Sequence, residues 1–137
     1  MTTFVIDTSA LLAMLWQEPG WDTVSQALEC HDCRMSAVNL AEFVSKVQER
    51  QQNIEQIAAL LEKLCLHVED YDTRQAMNTG LLRAITRPLG LSLGDRACLA
   101  LAQQLNAPVL TADRPWLELA APLSLDIRCI RPDLPAH

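Results

Sequence analysis

Four acidic residues stand out by where they fall against the hydrophobic pattern of the chain: Asp7, Glu42, Asp95 and Asp113. Asp7 comes directly after the β-prone run Thr2-Thr3-Phe4-Val5-Ile6, and Asp113 follows closely on Pro108-Val109-Leu110-Thr111. Asp95 and Glu42 fall in helical patterns that open at Ser92 and Ser36. Carboxylates that converge on one pocket repel one another unless a cation neutralises them. An oxygen-only set without His or Cys selects Mg²⁺ or Mn²⁺ over Zn²⁺. Such an ion lowers the pKa of a water, orients attack on phosphorus and stabilises the leaving oxygen, which is the chemistry of phosphodiester hydrolysis. Ser9 and Thr111 add hydroxyls beside the acids, as supporting donors or water ligands.

Each acid also has an ordinary structural reading. Asp7 can cap the N-terminus of a helix, and Asp113 can do the same ahead of Arg114-Pro115. Asp95 forms a capping-box-like pair with Ser92. Glu42 can be an exposed helix residue paired with Lys46 at i+4. Two other functional classes stay open on the residues alone. One is a phosphatase or other phosphoryl-transfer enzyme, although the position two after Asp7 is Ser9 rather than a second Asp. The other is a non-catalytic module that binds a partner through an acidic pocket.

The elements that must place these acids alternate along the chain. A strand at residues 2–6 leads into a helix from about Ser9 to Leu15, stopped by Pro19 and Gly20. Residues 21–30 read as a helix and Cys33 to Met35 as a short strand. Ser36 caps a helix running to about Arg50, and Asn53 caps the next. Ile54, Ile57, Ala58, Leu61, Leu64 and Cys65 form an apolar stripe on that helix, suited to the core or to a partner groove. Leu66 to Val68 is a third strand. Residues 72–86 return to helix, closed by Pro88 and Gly90. Ser92 opens a helix to Leu105, followed by the strand 108–111, a short helix from Pro115 to about Ala120, and a last strand from Ile127 to Ile130. Strands separated by helices imply right-handed crossovers and an α/β fold with a central parallel sheet of four to five strands. Ligands of such sheets bind outside the carboxyl ends of the strands. Asp7 and Asp113 belong to that edge. The helix of Asp95, which leads into a strand, starts there too, as does the helix of Glu42.

The bulk composition sets the outer limits. The 137 residues suit a single domain with its own core. Half are hydrophobic but only 4% aromatic, so the core is built from Leu, Ala, Val and Ile. No apolar run reaches the roughly 18 residues of a membrane span. The first residues lack the pattern of a signal peptide. Five cysteines, an odd number, fit free thiols better than a disulfide framework, so a cytoplasmic protein is expected. The net charge of −6 runs against a nucleic-acid binder unless cations gather locally.

Four segments appear in order: Val5-Ile6-Asp7-Thr8-Ser9-Ala10-Leu11-Leu12, Asn39-Leu40-Ala41-Glu42, Leu91-Ser92-Leu93-Gly94-Asp95-Arg96-Ala97-Cys98-Leu99-Ala100 and Val109-Leu110-Thr111-Ala112-Asp113. Together they resemble the PIN-domain family, and within it the VapC toxin ribonucleases of bacterial toxin–antitoxin pairs. The resemblance spans nearly the whole chain, residues 1–137 being one PIN-like domain. It implies that the strands of Asp7 and Val109 are adjacent at the centre of the sheet. It implies that Asp7, Glu42, Asp95 and Asp113 hold Mg²⁺ or Mn²⁺ with support from Thr111. The implied activity is endonucleolytic RNA cleavage leaving a 5′-phosphate and a 3′-hydroxyl. The implied partners are a VapB-like antitoxin over the active-site groove and a second copy of the chain. Many members carry a further acid soon after the fourth; here Arg114-Pro115-Trp116 intervenes before Glu118.

Arg83, Arg87, Arg96 and Arg114 are the candidates for an RNA-binding rim that would offset the acidic charge; neutralising nearby carboxylates is the alternative. Trp16, Trp21 and Trp116 suit either base stacking or the edges of the core and interfaces. Cys30-His31-Asp32-Cys33 lacks the second ligand pair of a structural zinc site, and its place at a helix end does not suit redox chemistry.

Overall fold

The structure is a computed structural model that describes residues 2–50 and 53–132. Five short strands form one sheet in the order β3-β2-β1-β4-β5, every pairing parallel. They are β1 (Thr3–Ile6), β2 (Asp32–Ser36), β3 (Leu66–Glu69), β4 (Val109–Thr111) and β5 (Ile127–Cys129). The chain steps outward from β1 to β3, then returns past β1 to lay down β4 and β5 on its other side. The direction of winding therefore reverses between β1 and β4, and a crevice opens at the carboxyl ends of those two strands.

Val5, Val109 and Ile127 face one side of the sheet and pack with α7 (Leu93–Leu105), Trp116, Leu119 and Leu123. Phe4, Ile6, Cys33, Met35 and Leu110 face the other side, covered by α1 (Thr8–Leu15), α2 (Trp21–Cys30) and α3 (Ala37–Glu49). This is the period-two alternation of strands buried on both faces. In α4 (Ile54–Lys63), Ile57 is buried and Leu61 packs against the same core, as does Leu64 just past its end. Ile54 at the start of the stripe is 42% exposed, so the stripe serves the core over only part of its length.

The helix expected over residues 72–86 is interrupted. It divides into α5 (Thr73–Leu81) and α6 (Arg83–Thr86), followed by a 3₁₀ turn over Arg87–Leu89. Gly80 weakens the helix near the break. Thr79 and Thr86 direct their hydroxyls back to the carbonyls of Gln75 and Leu82, a habit that bends helices. The segment after Asp113 is likewise 3₁₀ over Arg114–Leu119, with only Ala120–Leu123 (α8) in α-helix. No helix among the described residues is long and apolar enough to cross a membrane.

Trp116 is 2% exposed and fills the core beneath β4, whereas Trp21 is 39% exposed. Trp116→Ala should cost about 3–5 kcal/mol in urea unfolding, and Trp21→Ala less than about 1 kcal/mol. Equal effects would contradict this assignment of the core.

Candidate active site

Asp7 leaves β1 and enters α1 at the crevice. Its backbone has the extended conformation of an N-cap, but its side chain makes no capping bond. The carboxylate is 2% exposed, and its Oδ2 accepts from Ser9 Oγ at 2.6 Å and from Thr111 Oγ1 at 2.9 Å. Each hydroxyl accepts in turn from the loop after β4: Ala112 N–H donates to Ser9 Oγ at 2.9 Å, and Asp113 N–H to Thr111 Oγ1 at 3.1 Å. Two relayed donor chains thus lock β1 to the β4 loop and converge on one oxygen. Burial pushes the Asp7 pKa up to about 7; the Ser9 and Thr111 bonds oppose that rise, and the charges of Asp95 and Asp113 add to it.

Asp95 is the third residue of α7. Its Oδ2 accepts from Ser92 N–H at 3.1 Å while Ser92 Oγ accepts from Asp95 N–H at 3.1 Å. The capping box is real, and the same carboxylate is still near enough to bear on both Asp7 and Asp113. Asp113 makes no side-chain cap. Partial desolvation and Asp95 raise its pKa, and Arg131 pulls it the other way.

Glu42 points from α3 towards the start of α7. Its Oε1 accepts from Asn39 Nδ2 at 2.9 Å and from Thr8 Oγ1 at 3.0 Å. The expected alternative pairing with Lys46 is not formed; Lys46 lies 3.8 Å from Glu49 instead. Buried Cys98 links this arm to the others, since burial and the charges of Asp7, Asp95 and Glu42 together push its thiol pKa well up. Among the described residues, no three Asp, Glu, His or Cys side chains stand close enough to enclose an ion as they are placed here. The donor chemistry nevertheless suits a hard divalent cation: the donors are carboxylate oxygens, and Asp7 and Asp113 are desolvated and feel the charge of Asp95.

The PIN-domain family model matches residues 4–122 of this chain. This chain belongs to the PIN-domain family. The VapC ribonuclease Mb2780c of Mycobacterium bovis is 33% identical over 116 residues, spanning 77% of this chain and 87% of that protein. Ribonuclease VapC42 of Mycobacterium tuberculosis matches to the same extent. The fold is shared with VapBC2 from Rickettsia felis, solved bound to a DNA fragment from its promoter (TM-score 0.70, 18% identity, 93% of this chain and 98% of that one). It is also shared with VapC20 of Mycobacterium tuberculosis, described as a Sarcin-Ricin loop cleaving toxin (TM-score 0.68, 15% identity, 84% and 93%).

In this PIN domain the four candidate arginines separate. Arg96 is the correction. It is 9% exposed and its Nη1 donates to the Thr79 carbonyl of α5 at 3.1 Å. One residue past Asp95 is a turn of roughly 100° around the helix, which aims Arg96 at α5 and away from the crevice. Arg83 and Arg87 are exposed and line a small cavity with Gly90 and Leu91. The same loop, with Asp95 and Asp113, lines a second cavity of about 200 Å³. Arg114 donates from Nη2 to the Arg131 carbonyl at 2.8 Å. Both arginines border a cavity of about 540 Å³ that Asp113 also lines. Arg131 had no sequence signal.

Of the tryptophans, Trp116 is core, and Trp16 lies under the Arg50 guanidinium, 3.6 Å from its ring centre. Cys30 is exposed at the end of α2, while Cys33 is buried in β2 with its pKa pushed up to about 11, chiefly by burial. That thiol is the reverse of a reactive one.

The Asp7 shift has a definite sign. The folded protein holds this proton more tightly than the unfolded chain, whose value is near 3.8. The stabilisation is therefore complete below about pH 4 and is lost as pH rises towards 7. Ion-free protein should lose about 2–3 kcal/mol between pH 5 and 7.5 from this group. Asp7→Asn should flatten most of that fall. A thermal unfolding profile with the same slope in both proteins would rule it out.

Proposed function

We propose that this protein is a divalent-cation-dependent endoribonuclease, the toxin member of a VapBC-type pair. The observation that carries the reading is the buried Asp7 carboxylate at the crevice between β1 and β4, its pKa pushed up to about 7 by desolvation, with the charges of Asp95 and Asp113 adding to the rise. A structural carboxylate buried this deeply is normally matched by a cation. Two hydroxyls and two like charges surround this one. Membership of the PIN-domain family and curated VapC relatives at 33% identity support the choice of RNA as substrate.

In this reading Asp7, Asp95 and Asp113 hold Mg²⁺, with Mn²⁺ able to substitute, and Glu42 completes the set. When bound, the ion supplies Lewis acidity for water attack on phosphorus and charge neutralisation for the leaving oxygen, giving 5′-phosphate and 3′-hydroxyl ends. The protein's own part is positional. Ser9 and Thr111 hold the Asp7 carboxylate in one orientation, and the capping box holds Asp95 at the head of α7. In the same reading Arg83 and Arg87, beside Gly90 and Leu91, and Arg114 and Arg131, around the cavity that Asp113 also lines, bind the RNA phosphates. The acidic groove also suits the basic segment of a VapB-like antitoxin. A second copy of the chain is the other expected partner, for which Met77 and Leu81, 65% and 75% exposed on α5, provide apolar surface.

Asp7→Asn and Asp113→Asn should each lower Mg²⁺-dependent cleavage of a mixed RNA substrate by at least about 100-fold with the fold retained by circular dichroism, and chelation of the ion should do the same to the parent protein. Cleavage that survives both substitutions would refute the assignment. Reversing Arg83 and Arg87 to Glu should weaken RNA binding and flatten its dependence on salt, each lost phosphate contact reducing the slope by roughly one. Arg96→Gln should leave that slope unchanged, and a matching loss there would remove the proposed rim.

A further inference from the structure

Gly94 is the second residue of α7, where a helix gains nothing from glycine and loses about 1 kcal/mol relative to alanine. Its backbone is ordinary helix, with no left-handed dihedral angle to explain the choice. It is buried where α3 packs against α7. A methyl group built on Gly94 would overlap the carboxylate carbon and both oxygens of Glu42. The Glu42 carboxylate thus lies flat against the Gly94 Cα, in the space that any other residue would fill with its own side chain.

Two further residues hold it there. Asn39 is fully buried, and its Nδ2 donates both to Glu42 Oε1 at 2.9 Å and to the Gly94 carbonyl at 3.0 Å. The amide orientation follows from its neighbours, since both facing atoms are acceptors and a flipped Asn39 would set oxygen against oxygen. Asn39 Oδ1 has no hydrogen-bond partner among the described residues. The side chain therefore gives up one buried acceptor to serve two acceptors on the site side. Thr8, directly after Asp7, closes the clamp from α1: its hydroxyl lies 3.0 Å from Glu42 Oε1 and 3.1 Å from the Asn39 carbonyl.

We infer that Gly94 is a positioning residue, whose missing side chain is the seat of the Glu42 carboxylate and sets its distance from Asp95, with Asn39 and Thr8 as the clamp. The inference rests on the cation-dependent reading above. A methyl at position 94 drives the carboxylate off this seat and away from the other acids, while the backbone and the remaining three acids stay in place.

The test compares Gly94→Ala with the parent in Mn²⁺ titration calorimetry, RNA cleavage kinetics and thermal unfolding. Mn²⁺ affinity should fall about tenfold or more and kcat should fall with it. KM for RNA should stay within about twofold, because no phosphate contact is touched. The ion-free melting temperature should change little, because the better helix propensity of alanine offsets the Asn39 and Thr8 bonds that the carboxylate gives up. Gly80→Ala is the control: it is also a helical glycine, but with open space around its Cβ, and it should change neither affinity nor kcat. In a Glu42→Ala background, Gly94→Ala should add less than about a twofold loss. Parent-like Mn²⁺ affinity in Gly94→Ala, or an equal loss in the Glu42→Ala background, overturns the inference. A parent protein that binds Mn²⁺ but cuts no RNA sinks the nuclease reading and leaves the role of Gly94 standing. A parent protein that binds no Mn²⁺ overturns both.

Discussion

A carboxylate taken out of water and set beside two others is the constraint around which this molecule is organised. Asp7 is nearly inaccessible to solvent, and desolvation outweighs the two hydroxyls that support it. The arrangement persists because Asp7 lies where β1, α1 and the β4 loop meet. Its oxygen terminates two donor chains that begin at backbone N–H groups of Ala112 and Asp113. The groups that hold Asp7 also hold the loop that carries Asp113. Local strain in charge is therefore tied to the central strand pairing of the sheet, which the two hydrophobic layers enforce from both faces.

A capping role does not take the Asp95 charge away from the crevice. Asp95 completes a capping box and still contributes charge to the crevice. A helix N-terminus at the carboxyl edge of a parallel sheet serves both purposes, because the first-turn residue that caps the helix is also the one nearest the strand ends. Asp113 and Asp7 sit at helix starts without capping through their side chains. In Glu42 the ordinary alternative, an ion pair with Lys46, gives way to bonds from Asn39 and Thr8.

Much of this was legible in the residue pattern. The five strands fall within a residue or two of the apolar runs, since short β-prone runs between helical stretches leave little freedom in a parallel α/β fold. Ser36, Asn53 and Ser92 cap the helices they precede. The continuous helix over 72–86 was not legible correctly, because threonine back-bonding and the neighbourhood of Gly80 act below the level of hydrophobic periodicity. Arg96 was misplaced for a related reason. Adjacency to Asp95 in sequence says nothing about direction when successive helix residues point about 100° apart. Asn39 carried a weak signal, three residues before Glu42 on one helix face. Gly94 carried a better one, as a glycine within a helical pattern.

By itself the sequence determined the alternation of elements and, through the spacing of Asp7, Asp95 and Asp113 against those elements, the edge of the sheet where these carboxylates belong. These properties follow from local patterns of polarity and from the few ways a right-handed α/β chain can wind. The adjacency of β1 and β4 was already implied by the family resemblance; tertiary structure alone decided that Ser9 and Thr111 join them through Asp7, and that Glu42 rests on Gly94. It also decided that Arg131 faces Asp113 while Arg96 is turned into the core. Those outcomes depend on close approach between segments far apart in sequence, and the space left by an absent side chain exists only once both segments are packed.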